Sequence, residues 1–430
     1  MGPHGGNMKR IIVRGPALTQ SGYGEHTRFL LRSLRKYEDK YDIYVLPVNW
    51  GQTGWIHEDN EERRWIDEIV VKTQKEMRKP NPKFDISVQV TIPNEWERMA
   101  PINVGVTAGI ETTKVAPIWI QKANMMDKVI TISDHAKQVF LMSKYEGMNQ
   151  ETNEQVLLRC ETPIDIVHYP VKNIEPSGVN LELDYDFNYL MVAQWGPRKN
   201  MYNAVKWWIE ENFDEEVGLV LKTSTKNNSI MDREHLKKEL KTFISQFKNV
   251  DMKCKVYLLH GDLTEQEMQS LYVHPKIKVM VSLTHGEGFG LPLFDAACHA
   301  MPIVAPGWSG HCDYLYVPGT KPGKMKAMFA DVNYDLAPIG KDAVWDGVLQ
   351  EDSMWCYPHE GSYKIRLRQV RKGYDKWKDK ALKLQEWILE NFEAESQHDE
   401  FANAIFPVDD IIADEEIDKM FDDLFSETEE

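Results

Sequence analysis

The chain has 430 residues, a net charge of −16, 42% apolar residues and 27% charged residues. At about 100–200 residues per domain, that length holds two or three domains, with enough core to need no disulfide staples. The composition excludes a largely disordered chain, and the lack of any run of about 18 apolar residues excludes a membrane-spanning helix. The five cysteines, Cys160, Cys254, Cys298, Cys312 and Cys356, are odd in number and show no CxxC spacing. They read as reduced thiols of a cytoplasmic protein. Eleven acidic residues and one Lys follow Phe406, so ten of the sixteen net negative charges lie in the last 24 residues. The overall balance does not favour nucleic acid or anionic membranes, although net charge does not describe a local groove.

Residues 1–7 are Gly-rich and precede a second Met, so they read as a cloning remnant with Met8 as the native start. From Lys9 onward, short Ile- and Val-rich runs alternate with amphipathic stretches. Strands are expected at 10–13, 43–48, 84–90, 102–106, 128–132 and 164–169, with helices such as 24–36 and 134–144 between them. Strand–helix alternation of this kind predicts βαβ units and parallel sheets. Pro176, Ser177 and Gly178 mark a break. A second series follows, with strands expected at 189–193, 217–221, 255–259, 278–283 and 302–305. Thr264 and Glu267 form a capping box at the head of one intervening helix. From Tyr363 to Phe392 an apolar stripe recurs at helical spacing (Val370, Tyr374, Trp377, Ala381, Leu384, Ile388), with Gly373 as a weak point. The expected fold is α/β: two doubly wound, Rossmann-like parallel-sheet domains facing a cleft, with a long C-terminal helix that bridges back. The expected divisions are 8–180, 185–362, 363–406 (bridging helices) and 407–430 (acidic tail).

The segment from Thr284 to Ala305 carries the most chemistry. A strand is followed by a loop with Gly286, Gly288 and Gly290, then by a helix with Pro292 in its first turn, where a missing N–H is harmless. Backbone N–H groups and a helix N-terminus at the C-terminal edge of a parallel sheet suit a diphosphate. Glu287 and Asp295 add two carboxylates that can accept hydrogen bonds from hydroxyls on either side of it. Arg198, Lys199 and Lys222 lie at the ends of the first two strands of the second series, where cations would grip phosphate. Glycines that merely shape a turn, and a solvated basic turn, are the plainer alternatives. A nicotinamide dehydrogenase would also be doubly wound, but Gly15, Gly22 and Gly24 lack the GxGxxG spacing after the first strand. His311, Cys312 and Asp313 are adjacent, and three adjacent residues cannot readily ligate one metal ion. Among the tryptophans, Trp207 and Trp208 read as core; Trp50, Trp55 and Trp65 lie in the first half, where core packing is the plainer reading of each and stacking on a sugar ring or base is the alternative.

The 284–305 segment resembles the signature of the family-4 retaining glycosyltransferases of the GT-B fold: an acid, seven residues, and a second acid, within E-G-F-G-L-P…E-A…G-x-P-V. Glu287 matches the first acid and Asp295 stands where Glu is usual; Ala300 stands where Gly is common. The Trp195-Gly-Pro-Arg-Lys-Asn200 turn is similar to the family's basic turn, and residues 14–28 to its first loop. Residues 106–113 resemble the branch in which Glu111 stands near a strand tip where other members carry His. The resemblance spans residues 9–395 and is strongest at 187–315.

It implies a nucleotide-sugar-dependent hexosyl- or pentosyltransferase, retaining and metal-independent, with a UDP- or GDP-sugar as donor and no other cofactor. It implies catalytic roles for Glu287, Arg198, Lys199 and Glu111. It implies donor contacts for Gly22, Tyr23, Gly24, Lys222, Gly288, Phe289, Gly290, Leu291 and Asp295, with His26 and Arg28 facing donor or acceptor or packed in the helix. A non-catalytic nucleotide-sugar-binding relative is the alternative.

In the tail, Met420-Phe-Asp-Asp-Leu-Phe425 resembles the terminal peptides by which phage replication proteins bind their sliding clamp. That implies a phage origin and an acceptor among hydroxymethylated bases of double-stranded DNA; a glycan, lipid or protein acceptor is the alternative.

Overall fold

The computed structural model describes residues 8–148, 154–247 and 251–406. Residues 1–7, expected to be a cloning remnant, and the acidic tail with Met420 to Phe425 lie outside these residues.

The first domain is built on β1 (Lys9–Gly15), α1 (Gly22–Arg35), β2 (Tyr41–Pro47), α2 (Glu61–Met77), β3 (Ile86–Val90), β4 (Ile102–Thr107), α3 (Pro117–Ala123), β5 (Lys128–Thr131), α4 (Asp134–Met142), β6 (Lys144–Met148), β7 (Gln155–Arg159) and β8 (Ile164–Ile166). Six strands form one parallel sheet in the order β2-β1-β3-β4-β5-β8. Helices cover both faces, so the central strands read as continuous apolar runs: Ile11, Ile12 and Val13 are all fully buried. Ser21, Asn60 and Ser133 cap α1, α2 and α4 with side-chain oxygens.

The second domain comprises β9 (Asn188–Val192), α5 (Met201–Asn212), β10 (Gly218–Lys222), α6 (Ile230–Ser245), β11 (Lys255–Leu259), α7 (Glu265–Val273), β12 (Ile277–Val281), α8 (Leu291–Cys298), β13 (Ile303–Pro306), α9 (Cys312–Leu315), β14 (Tyr316–Pro318), β15 (Met325–Ala327), β16 (Ala330–Val332), β17 (Tyr334–Pro338) and β18 (Met354–Pro358). Its parallel sheet runs β11-β10-β9-β12-β13-β16. The capping box of Thr264 and Glu267 is formed at α7, and Trp208 is fully buried in the domain core.

All eleven expected strands are present within a few residues. Not anticipated were β16, only three residues long, and the hairpins β6–β7, β14–β15 and β17–β18. Most residues of β6, β7, β14, β15 and β17 are exposed or half-exposed and so do not read as buried strands, whereas β16 and β18 are mostly buried but short.

The expected helix over 363–392 divides at Gly373 into α10 (Glu360–Lys372) and α11 (Tyr374–Asn391), followed by α12 (Ala394–Ile405). The stripe changes partners at that break. Tyr363, Leu367 and Val370 pack on the second sheet's core, whereas Leu384 and Ile388 join the cluster that runs between the domains. Gln385 and Lys378 bond the carbonyls of Cys298 and Ala300 at the end of α8. Ala300 itself has a left-handed φ of +51°, which accounts for Gly in the resembling signature. Then α12 lies on the first domain, where the His398 imidazole bonds Ser33 Oγ at 2.8 Å and the Lys36 ammonium meets Glu395 at 2.6 Å and Asp399 at 2.5 Å.

Strand order fixes where a ligand can enter. In each sheet the chain winds outward from its first strand and then crosses back beside it, leaving a crevice at the carboxyl ends: β1/β3 in the first sheet, β9/β12 in the second.

Candidate active site

The loops after β9 and β12 carry the candidate residues, and the loop after β4 meets them from the other domain. Glu287 is buried, 7% exposed. Its carboxylate accepts from the Lys199 ammonium at 2.5 Å and lies 3.4 Å from the Arg198 guanidinium. Its backbone N–H donates to Ser309 Oγ at 2.8 Å. Burial alone would favour the neutral acid, but Lys199 and Arg198 overcome it and hold this carboxyl down to about 2. Arg198 also donates to the Gly286 carbonyl at 2.6 Å and reaches Glu111 across the cleft at 3.5 Å. Burial opposes its charge, yet Glu111 and Glu287 raise its pKa; burial together with neighbouring Arg198 lowers that of Lys199. The structure thus brings all four expected catalytic residues into one cluster of two cations and two anions.

The Gly-rich loop is pressed against the first domain. A Cβ on Gly288 would stand 2.7 Å from the Ala108 carbonyl oxygen, so only glycine permits that approach. Gly290 takes φ +86° as it turns the chain into α8. The Phe289 side chain points away from the loop into an aromatic cluster with Tyr169, Phe294 and Tyr314 at ring separations of 4.9–5.3 Å. Leu291 is half-buried beside that core. These two residues therefore contribute backbone and packing.

Asp295 and Lys222 stand apart from the cluster. Asp295 has Lys172, Glu25, Glu265 and Gln269 as its electrostatic neighbours. Burial, with Glu25 and Glu265 adding to it against Lys172, pushes its carboxyl up to about 7. Lys172 pairs with Glu25 of α1 at 2.8 Å and Glu265 of α7 at 2.7 Å, so acids from both domains share one cation. Lys222 donates to the Gly261 carbonyl at 2.7 Å, and burial lowers its pKa.

The first loop is occupied by its own contacts. Arg28 is buried and donates to the carbonyls of Ala17 and Thr19, both at 2.9 Å, while pairing with Glu25. The expected open approach at Gly24 is instead a close packing: a Cβ there would lie 2.2 Å from the Thr19 carbonyl oxygen. Gly22 accepts from the Tyr169 hydroxyl at 3.1 Å. Of the two readings for His26, the packed one holds: it is fully buried beside Tyr169 and Phe401, and burial lowers its pKa to about 3. Tyr23 shares a 2.8 Å hydrogen bond with Thr107 at the tip of β4 and stacks on Trp50 at 4.3 Å. Trp55 is 45% exposed on the strap that pairs with the first loop. Trp65 instead sits under Arg35.

Several groups at the site have roles that the sequence did not show. Asp313 accepts from the Asp134 N–H at the head of α4 and from His168, each at 2.8 Å, joining the two domains. His135 stands edge-on to Trp308 with one buried ring nitrogen unpaired, and burial lowers its pKa to about 4. The stretch between β17 and β18 crosses to the first domain, where Asn94 donates to the Gly347 carbonyl at 2.8 Å. Asp313 stood out in the sequence only through its adjacency to His311 and Cys312, and nothing in the spacing of His135, His168, Asn94 or Gly347 marks them. Among the described residues, no group of three or more His, Cys, Asp or Glu side chains is arranged to hold a metal, and all five cysteines are free.

No known protein-family model matches the chain, and no curated protein does. Solved structures do. A sucrose-phosphate synthase from Thermosynechococcus elongatus is similar at a TM-score of 0.58 and 10% identity, covering 97% of this chain and 99% of that one. HepE from Anabaena, in complex with UDP and glucose, has a TM-score of 0.56 at 11% identity, covering 92% and 99%. A trehalose-6-phosphate structure from E. coli, bound with UDP-2-fluoro glucose, has a TM-score of 0.55 at 8% identity, with the same coverage. The chain shares their GT-B architecture of two parallel-sheet domains.

Proposed function

We propose that this chain is a retaining glycosyltransferase that uses a nucleoside-diphosphate sugar. The observation that carries the proposal is Glu287, held ionised by Lys199 and Arg198 under a Gly-rich loop at the switch point of the second sheet. Shared architecture with structures that hold UDP, glucose or UDP-2-fluoro glucose supports it.

In this reading Glu287 accepts hydrogen bonds from hydroxyls of the donor sugar. Arg198 and Lys199 turn from Glu287 and Glu111 toward the diphosphate. The 3.5 Å reach to Glu111 is loose and sacrifices little, whereas the 2.5 Å pair of Lys199 with Glu287 has to be offset by the contacts to the diphosphate. As the bond between C1 and the phosphate oxygen breaks, the cations and the N-terminus of α8 stabilise the departing charge. The acceptor hydroxyl attacks C1 on the same face, and its proton passes to the leaving phosphate oxygen. The new C1–O bond keeps the original configuration. Glu111 borders the reacting centre, and Asp295, released from its neighbours, holds the ribose. Trp50 and Trp55 line the acceptor side, where a ring can stack.

A thermal-shift screen with UDP- and GDP-sugars, followed by turnover with and without EDTA, tests this reading. Stabilisation by one donor and an EDTA-insensitive rate are expected; binding without turnover on any acceptor would leave a nucleotide-sugar-binding protein.

For the acceptor, the tail peptide from Met420 to Phe425 favours hydroxymethylated bases of DNA, with docking on a sliding clamp raising the local concentration. Sugar transfer onto 5-hydroxymethyl-pyrimidine DNA and loss of clamp binding in a chain ending at Phe406 are the expected results. Without either, the acceptor is a glycan, lipid or protein.

A further inference from the structure

His311, just past β13, is fully buried. Its Nε2 lies 2.7 Å from the Pro306 carbonyl oxygen. A carbonyl only accepts, so Nε2 carries the proton. Burial lowers the pKa of this imidazole, so the ring is neutral. Nδ1 is therefore a bare lone pair, and it has no hydrogen-bond partner. An acceptor buried in that state is costly unless something donates to it.

What could donate is limited by the surroundings. The His311 Cβ lies 3.4 Å from where a Cβ on Gly290 would stand, and the ring is an electrostatic neighbour of Glu287 and Lys199. The Gly310 N–H just before it bonds the Glu287 carbonyl at 2.9 Å. The cations of the cluster are engaged by Glu287 and Glu111. A phosphate carries no proton to offer at neutral pH, whereas a sugar hydroxyl does.

We propose that His311 Nδ1 accepts a hydrogen bond from a hydroxyl of the transferred sugar, next to Glu287, and so determines which sugar the site accepts. This rests on the glycosyltransferase reading above. A site built to receive a hydroxyl rejects analogues that lack it much more strongly than an apolar pocket rejects a change of size.

Two substitutions separate this role from packing. His311→Gln keeps an N–H within reach of the Pro306 carbonyl and removes the acceptor at the δ position. His311→Asn restores an acceptor oxygen near that position. The probes are UDP, UDP-glucose and its 2-, 3-, 4- and 6-deoxy analogues, or the matching set for whichever of UDP-galactose, UDP-N-acetylglucosamine and GDP-mannose stabilises the wild-type chain most. In the wild type, one deoxy donor should bind about tenfold more weakly than its parent, the equivalent of one charge-neutral hydrogen bond. In His311→Gln that penalty disappears while UDP affinity and melting temperature stay the same; His311→Asn recovers part of it. Should His311→Gln fail to fold, the ¹⁵N resonance of Nδ1 in the wild type gives the same answer, moving when the nucleotide sugar binds and not when UDP binds. A lone pair satisfied by a buried water alone predicts that every deoxy penalty survives in His311→Gln and that the resonance ignores the sugar; either result overturns the proposal. A wild-type chain that binds none of the nucleotide sugars overturns the glycosyltransferase reading itself, a separate outcome.

Discussion

The loops after β1 and β12 have the same outline: a strand, several glycines, then a helix at the crevice of a parallel sheet. Their polar groups differ. After β1, Ser21 caps α1, Arg28 binds the Ala17 and Thr19 carbonyls, and Tyr23 binds Thr107, so no charge is gathered there for a ligand, although both ring nitrogens of buried His26 lack partners. After β12, two cations converge on one buried carboxylate, a third carboxylate–cation contact spans the cleft, and an imidazole lone pair nearby has no partner. A glycine-rich turn thus reports a bend in the chain, whereas charges converging on it from several loops report a ligand.

The sharpest way to break this contrast is at Glu287. Glu287→Ala should lower transfer by at least about 100-fold, the scale of losing one preorganised charge contact. A loop position suggests little loss of stability, but Glu287 is buried against two cations, and stranding them should lower stability by roughly 1–3 kcal/mol. Activity assays paired with urea melts read both effects, and near-normal turnover would remove the donor site from this loop. Arg198→Ala should weaken UDP or GDP binding by about 1.5–3 kcal/mol, measured by calorimetry; unchanged affinity places the diphosphate elsewhere.

Titration contrasts the two acids of the site. Glu287 is depressed to about 2, so its stabilising contribution is full above its unfolded pKa of about 4.3 and is lost as pH falls toward 2. Asp295 is raised to about 7, so the folded chain binds its proton more tightly than the unfolded chain does. Its contribution is full below about pH 4 and is lost as pH rises toward 7. Asp295→Asn should therefore raise the melting temperature at about pH 8 and leave it unchanged at about pH 4; equal shifts at both would contradict the assignment. The smallest effect expected is in the self-satisfied loop: Tyr23→Phe should cost about 1 kcal/mol of stability, the value of its bond to Thr107.

Sequence legibility follows the same physics. Parallel strands buried on both faces, such as the run of Ile11, Ile12 and Val13, stand out as apolar runs, and their alternation with helices is enough for the fold class. The hairpin strands β6 and β7 lie largely exposed outside the parallel sheets, β6 without any apolar run and β7 with only Val156 to Leu158, and pass unnoticed. Glu287, Arg198 and Lys199 are legible because a motif holds them at fixed spacing. Their mutual pairing, and the sharing of Lys172 between Glu25 and Glu265, join positions up to 240 residues apart through tertiary packing, which no local pattern encodes. The break at Gly373 was legible as a weak point, but the change of packing partner there was not.

The chain passes between the domains twice, once after β8 and again between α11 and α12. The two passages lie side by side, for the Val171 N–H donates to the Phe392 carbonyl oxygen at 2.8 Å. Two adjoining tethers behave like the spine of a book. They oppose sliding and twisting of one domain past the other, and leave rotation about a single line as the easy movement. Asn94 and Gly347 join the domains through a different pair of segments, so a covalent link placed there would add a third tether and oppose the rotation that the spine leaves free.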